Sequence, residues 1–563
     1  MEDKQHHIKT AKRLLKSCPL NFLLGEPRHI QTSLPTSLDS RKAIIDALTA
    51  LKSLQIVADD GLSSLWTFDA NVWARALRWL LSLYPIHSLF NALDVFDAMQ
   101  KPEVETFIGV LDSVTRLSPT EAREALLSND HHALHLLLAL WVCWPIRMQN
   151  LGMNVYGSIS CQNLMYNAWT CFPMEATEEI FVGPILHMLS DRPKRLSRLC
   201  ATHLNIRTSA GDIGRAGVVN QVNLMKILTA HCDMGVHGLS GSYIAALVNS
   251  LDENLNSASD SHEIWLCVLH ALAEICSRSD YAVVFALKYG LLPLLIRVRR
   301  LCDDCSKRPI DLSRSNPEVD TTGMVLALLG DSLLHRRAVK GFREARSQSA
   351  TSMPDGPLRV DEQAVVILGE RRYAQLLRAD QEWRAVAVCS NSKCRNARGT
   401  PVRSCPCGEF LYCSTRCQRE HWSVGDHRVA CEQHVARPDY YTVIPMRAKD
   451  AHFLAVIARA YIEENYATIL AHVGGRPGVY EHVRVDLSLT NLRETLHRVS
   501  NGAKSASLPN PYPYPTFLVH VERMQGDAPR TRVVRLTPRT APRRAAKEGF
   551  RPVMDLLYDP PTT

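Results

Sequence analysis

Seven of the 17 cysteines in this chain fall between Cys389 and Cys431, in the stretch CSNSKCRNARGTPVRSCPCGEFLYCSTRCQREHWSVGDHRVAC. With one histidine they give eight candidate metal ligands: Cys389, Cys394, Cys405, Cys407, Cys413, Cys417, His427 and Cys431. Eight is the number that two tetrahedral zinc ions require. Thiolate and imidazole are soft to borderline donors, which suit zinc and not calcium or magnesium. Apart from Phe410, Leu411, Tyr412, Trp422 and Val424, little in the stretch could form an apolar core. A segment near or below ~40 residues generally needs a metal or disulfides to fold. Cys413 with Cys417, and His427 with Cys431, are spaced i,i+4, so each pair shares a face if its segment is helical. Ligand count alone leaves open how the eight divide between two ions.

The order and the intervening residues resemble the MYND-type zinc finger. The matching residues are Tyr412-Cys413-Ser414, Cys417-Gln418, Trp422, and His427 three residues before Cys431. The opening CSNSKC, with four residues between cysteines, and the Gly425-to-Arg428 stretch resemble the large fungal set of these proteins. The resemblance implies an interleaved pairing. Cys389, Cys394, Cys413 and Cys417 would take one zinc, and Cys405, Cys407, His427 and Cys431 the other. It also implies that Gln418 and Trp422 border a groove for proline-containing peptides, and that His421 is not a ligand. One departure concerns the second ion: the family usually places two residues between its third and fourth ligands, and Cys405-Pro406-Cys407 has one. In extended backbone residues i and i+2 point the same way, ~6.6 Å apart at Cα, so both sulfurs could still reach one ion. Pro406 would hold that shape by fixing φ.

No catalytic constellation emerges. A cage filled entirely by protein ligands has no open position for water or substrate, so both zincs are expected to be structural. Some MYND proteins carry a SET methyltransferase domain marked by an Asn-His dipeptide, which this chain lacks. In GLSGS, Ser242 stands where a nucleophile elbow needs glycine. GDIGRAG, starting at Gly211, has the wrong glycine spacing for a dinucleotide loop and reads as a flexible turn. His131 and His135 share a helical face without an evident third ligand, and Cys302-Asp303-Asp304-Cys305 lacks a thioredoxin context.

The elements that must carry this region are helical. From Leu38 to Phe342 apolar residues recur with helical spacing in RKAIIDALTALKSLQI, NVWARALRWLLSLY, EVETFIGVLDSV and HEIWLCVLHALAEIC. In ALKYGLLPLLIRV, Gly290 suits a left-handed C-terminal cap and Pro293 the first turn of the next helix. That stretch resembles the start of the last helix in armadillo repeats. No fixed period of ~40–47 residues accompanies it. The expected fold is therefore mainly α. It comprises an N-terminal segment (1–37), an irregular armadillo/HEAT-like helical domain (38–344), a Ser/Pro/Asp-rich linker (345–362) and a connecting helix (363–388). The two-zinc finger (389–431) and a small α+β region (432–563) follow. In the last region DAHFLAVIARAYIEENYATILAHV reads as a helix and VRVDLSL as a strand, with TFLVHVER and TRVVRLT as its possible partners. A Pro-rich loop (508–516) containing PNPYPYP could lie in the finger's groove in cis, and a basic tail carries Arg530 to Arg551.

Composition restricts the remainder. The chain is 46% hydrophobic with a net charge of +8, as expected of globular domains and not of a disordered or fibrous chain. MEDKQHHIKTAKRLL lacks the apolar core of a secretory signal. The longest apolar run, ALHLLLALWVCW, is shorter than a bilayer span, ends at Pro145 and reads as a buried helix. The expected setting is the cytoplasm and/or nucleus, where clustered cysteines bind metal and do not form disulfides. The expected function is a non-enzymatic adaptor that binds other proteins, with no membrane role. The alternative is a nucleic-acid-associated factor using the basic C-terminal stretch.

Overall fold

The computed structural model describes Lys9, most of residues 108–306, residues 321–348, most of 357–428, and the segments 448–473, 480–486, 497–500, 516–525, 528–538 and 555–558. The expected helices between 38 and 107, the N-terminal segment apart from Lys9, Cys407, Cys431, the Pro-rich loop 508–516 apart from Thr516, and the end of the basic tail lie outside the described residues. The chain divides into two compact units, Met1–Val268 and Leu269–Thr563. The break falls inside one helix and inside the stretch expected as a single helical domain. Among the described residues the protein is mainly α-helical, and no single helix is long and apolar enough to cross a membrane.

In the first unit the helices are α1 (Pro119–Leu127), α2 (His132–Asn150), α3 (Val155–Thr170), α4 (Gly183–Met188), α5 (Pro193–Ser209), α6 (Asp212–Arg215), α7 (Val218–Ala230), α8 (Gly241–Leu255) and the start of α9 (His262–Arg278). Local chemistry sets several of their starts. Ser118 and Glu121 form a reciprocal cap on α1, with Glu121 accepting from the Ser118 backbone at 3.2 Å and Ser118 Oγ from Glu121 N–H at 3.4 Å. Pro193 opens α5, and Ser240 caps α8 by accepting from Tyr243 N–H at 3.3 Å. The Ser240–Ser242 pair of GLSGS is thus a helix start. Within GDIGRAG, Asp212 to Arg215 form the short α6 after a turn at Gly211, and the Gly214 carbonyl accepts from Arg207.

Helix α5 is the hub of this unit and packs against α2, α3, α7 and α8. The expected buried helix at Ala133–Trp144 is α2, with Leu134, Leu136 to Trp141 and Trp144 all buried. It does not stop at Pro145 but runs through it to Asn150. Proline has no N–H, so the carbonyl four residues earlier, on Trp141, loses its helical donor. His203 of α5 supplies the replacement, with Nε2 3.0 Å from that oxygen. The proton directions around His203 follow from Arg207, which can only donate. Arg207 Nε gives its hydrogen to Gln162 Oε1 at 2.6 Å. That fixes the Gln162 amide so that its nitrogen donates to His203 Nδ1 at 3.2 Å. His203 therefore carries its hydrogen on Nε2, as the Trp141 carbonyl requires.

In the second unit α10 (Asp280–Lys288), α11 (Leu291–Ser306), α12 (Thr321–Ser332) and α13 (Arg336–Gln348) precede the long α14 (Val360–Val386). Gly290 has φ +87° and lies directly after the Tyr289 cap of α10, while Pro293 sits in the first turn of α11, as the sequence predicts. α13 and α14 both reach into the stretch expected as linker, by four residues at 345–348 and three at 360–362. α14 packs against α12, α13 and α16 (Ala448–Val473). Gly369 lets the buried Phe342 ring lie on the α14 backbone, because a Cβ there would sit 2.3 Å from the ring. Carboxylates along α14 meet cations from the other helices: Asp361 with Arg299, Asp380 with Arg336 and Lys449, and Glu382 with Arg459.

Five strands follow: β3 (Tyr480–Asp486), β4 (His497–Ser500), β5 (Thr516–Gln525), β6 (Ala528–Pro538) and β7 (Asp555–Tyr558), in the order β4-β3-β5-β6-β7. β3 pairs antiparallel with β4 and parallel with β5. The sequence reading has TRVVRLT as a possible partner of β3. It pairs with β5 instead, with Val519 opposite Val534.

Candidate metal centre

The cysteine-rich segment begins directly at the end of α14. Ala387 N–H still bonds to Trp383 O at 2.8 Å, and Ala387 packs with Leu411, Trp383 and Val402. Two short antiparallel strands, β1 (Arg403–Ser404) and β2 (Leu411–Tyr412), form its frame, with Arg403 opposite Tyr412 and Ser404 opposite Leu411. Cys405 N–H bonds to Phe410 O at 2.8 Å and extends the β1–β2 pairing. Ser390 binds the other side of β2 twice: its N–H donates to Leu411 O at 2.7 Å, and its Oγ accepts from Leu411 N–H at 2.9 Å. Helix α15 (Thr415–Ser423) then starts at a Ser414 cap, whose Oγ accepts from Cys417 N–H at 3.2 Å.

These contacts gather four sulfurs. The Sγ atoms of Cys389, Cys394, Cys413 and Cys417 all lie within 4.8 Å of one another. The Cys394–Cys413 distance is 3.4 Å and the Cys413–Cys417 distance 3.5 Å. A tetrahedron with ~2.3 Å zinc–sulfur bonds has edges of ~3.8 Å, so the group could hold one metal ion. The four are those that interleaved pairing puts together, taken from two segments on either side of the β1–β2 hairpin. Cys413 lies in the bend before α15 and only Cys417 is in its first turn. The i,i+4 spacing therefore works through a helix start and not through a shared helical face.

Ionising these sulfurs is costly without a cation beside them. Burial, reinforced by the neighbouring sulfurs of Cys394 and Cys413, pushes the Cys389 thiol up to about 12. Backbone N–H groups of Cys413 and Asn391 act in the opposite direction, toward the thiolate. Four closely spaced thiolates repel one another, and a divalent ion removes that cost.

Asn391 is a site residue that the sequence reading missed. It is buried between Cys389 and Cys394. Its Oδ1 accepts from Lys393 N–H at 3.0 Å, its carbonyl accepts from Cys394 N–H at 2.9 Å, and its Nδ2 donates to Glu420 Oε2 at 2.9 Å. It thus shapes the first cysteine loop and ties it to α15. The available signal was an Asn two residues before Lys393, the pattern of an Asx turn.

Of the second expected group, Cys405 and His427 are described and both are buried. Cys405 packs with Tyr412 and Cys417, and its Sγ lies 3.9 Å from the Gln418 amide nitrogen. His427 contacts the rings of Phe410 at 4.4 Å and Trp422 at 5.0 Å. His421 is outside the sulfur group and hydrogen-bonds Tyr412. Trp422 keeps 37% of its surface exposed. His131 precedes α2 with φ +64°, and its ring still meets that of His135 edge-on with centroids 6.2 Å apart. No family model, no curated protein and no solved structure matches this chain.

Proposed function

We propose that residues 389–431 form a MYND-type finger holding two structural zinc ions, and that the protein is a non-enzymatic adaptor for proline-containing peptides of partner proteins. The observation that carries this reading is the four-sulfur group within 4.8 Å. Thiolate donors select zinc over hard cations. The second ion takes Cys405, Cys407, His427 and Cys431. Support for the peptide groove comes from α15, where Gln418 and the exposed Trp422 are spaced i,i+4 beside the cage. A proline-rich segment is already extended and loses little entropy when it docks on an aromatic edge. The short-looped helices of the first unit, packed around α5, suit an irregular armadillo-like surface for a different partner. The setting is the cytoplasm and/or nucleus, where thiols stay reduced.

The test is affinity capture with wild-type protein beside a Cys413→Ser/Cys417→Ser variant, with zinc measured on both. Wild type should carry two zinc ions and the variant one. Proline-containing partners should vanish from the variant. Zinc-free wild-type protein would end the reading. A second reading, nucleic-acid association, draws on the exposed Lys393, Arg395, Arg403 and Arg416 around the finger. It requires an affinity that falls steeply with salt. Thiolate cages with net charges of about −2 and −1 offset these cations, which favours the adaptor.

A further inference from the structure

We propose that the face made by α10, α13 and α14 in the second unit binds single-stranded nucleic acid, a reading independent of any metal in the cysteine-rich segment. Helix α13, RRAVKGFREARSQ, carries four arginines and one lysine against a single acid, Glu344. Arg337, Lys340 and Arg343 are exposed. Gly341 lets α13 lie close on α10, because a Cβ there would stand 3.3 Å from the Val284 carbonyl. Aromatic rings border these cations on both sides. The Arg337 guanidinium lies 5.7 Å from the centroid of the Tyr281 ring on α10, and that of Arg343 lies 5.2 Å from the Tyr373 ring on α14. Phe285 and Tyr289 continue the α10 row at successive i+4 positions, with rings 6.3 Å apart and 20° from parallel. Tyr289 keeps 38% of its surface exposed.

The charge of this face is not neutralised internally. Glu370 of α14 serves Arg343 and Arg346, at 3.4 and 3.6 Å. Arg337, Lys340 and Lys288, the last exposed beside Tyr289, make no ion pair among the described residues. Lys340 acts on Asp380 only through its field. Cations alone would suit any polyanion, and the rings narrow the choice. Each nucleotide of a single strand offers a phosphate for a lysine or arginine and a flat base for an exposed ring. A duplex keeps its bases stacked inside and gives Tyr289 nothing to cover. An acidic peptide answers the charge and leaves the rings unused.

The experiment measures fluorescence anisotropy of a labelled single-stranded oligothymidylate with the full-length protein, over a range of salt concentrations. Wild type should bind the single strand more tightly than a duplex of the same length. Its log K should fall with log salt at a slope of about −2, as three phosphates held by Arg337, Lys340 and Lys288 require. Lys288→Gln combined with Lys340→Gln should flatten that slope by about 1.4. Tyr289→Ala should weaken binding ~5–150-fold with the slope unchanged, and Tyr289→Trp should retain affinity. No binding by wild type, equal affinity for the duplex, or displacement by polyglutamate as readily as by unlabelled oligothymidylate would overturn the proposal. So would a Lys288→Gln/Lys340→Gln protein with the wild-type slope, since the strand would then lie elsewhere. If Tyr289→Ala fails to fold, as circular dichroism would reveal, the lysine variant and the strand preference of wild type decide.

Discussion

The carbonyl oxygen of Trp141 accepts a hydrogen bond from His203 Nε2 at 3.0 Å, and the two rings stack with centroids 4.6 Å apart and planes 14° from parallel. One residue of α5 thus repairs the gap that Pro145 leaves in α2 and packs on the ring beside it. Replacing His203 with Ala should cost about 2–4 kcal/mol, from an orphaned buried carbonyl and the cavity left by the ring. Denaturant unfolding of the two proteins measures the difference. The extra cost should shrink in a Pro145→Ala background, where the helix can supply its own donor to Trp141.

The same histidine gives stability a pH dependence. Burial, and then the charge of Arg207, lowers its pKa from 6.5 to about 4, against the opposing pull of the Trp141 carbonyl. His452 on α16 is also lowered to about 4, by burial first and by Arg459 and Arg336, with Glu382 and the Ala379 backbone opposing. For a histidine whose folded pKa lies below its unfolded value, the unfolded state binds the extra proton first. Stability should therefore be level above pH 6.5 and fall between 6.5 and about 4, by up to about 3 kcal/mol for each group. Unfolding at pH 7.5, 6 and 5 checks this, and His203→Gln should flatten its share of the slope.

Asn391 and Glu420 give a third expectation. Asn391→Ala removes the Asx turn and the link to α15 but none of the four sulfurs. Zinc stoichiometry should be unchanged and affinity ~10-fold lower or more. Glu420→Ala should have the smaller effect, since the turn on Lys393 N–H persists. Chelator competition separates affinity from capacity.

Gly369 gives a fourth. A methyl group there would meet the Phe342 ring at 2.3 Å, and the ring is fully buried. Although alanine is the better helix former, Gly369→Ala should destabilise by about 1–3 kcal/mol. Adding Phe342→Leu should cost less in that background than in wild type, and a double-mutant cycle reads the difference.

The sequence made legible what is encoded by spacing. The Gly290 cap, Pro293 in the next first turn and the buried α2 follow from residue type and separation, whereas the grouping of the four cysteines around the hairpin is implied by the resemblance and not by spacing. What it hid depends on distant partners. Pro145 looks like a stop because the donor that rescues the helix lies 62 residues beyond the Trp141 carbonyl. The TRVVRLT strand looks like a partner of VRVDLSL because alternation encodes a strand but not its neighbour, and the register puts TFLVHVER between them. Asn391 was missed because a buried asparagine between two cysteines resembles any loop residue until Glu420 is seen facing it. The short helix inside GDIGRAG was not foreseen because Arg207, which binds the Gly214 carbonyl, belongs to another helix.

The sulfurs that meet at one point are supplied by Cys389 and Cys394, and then, after a hairpin, by Cys413 and Cys417. A ribosome delivers them in that order. Until Cys417 has left the exit tunnel, a nascent chain offers an ion at most half or three quarters of this cage. Capture of a metal there would be timed to the end of the segment, and a truncation anywhere between residues 395 and 412 would yield a polypeptide with only two of these four sulfurs.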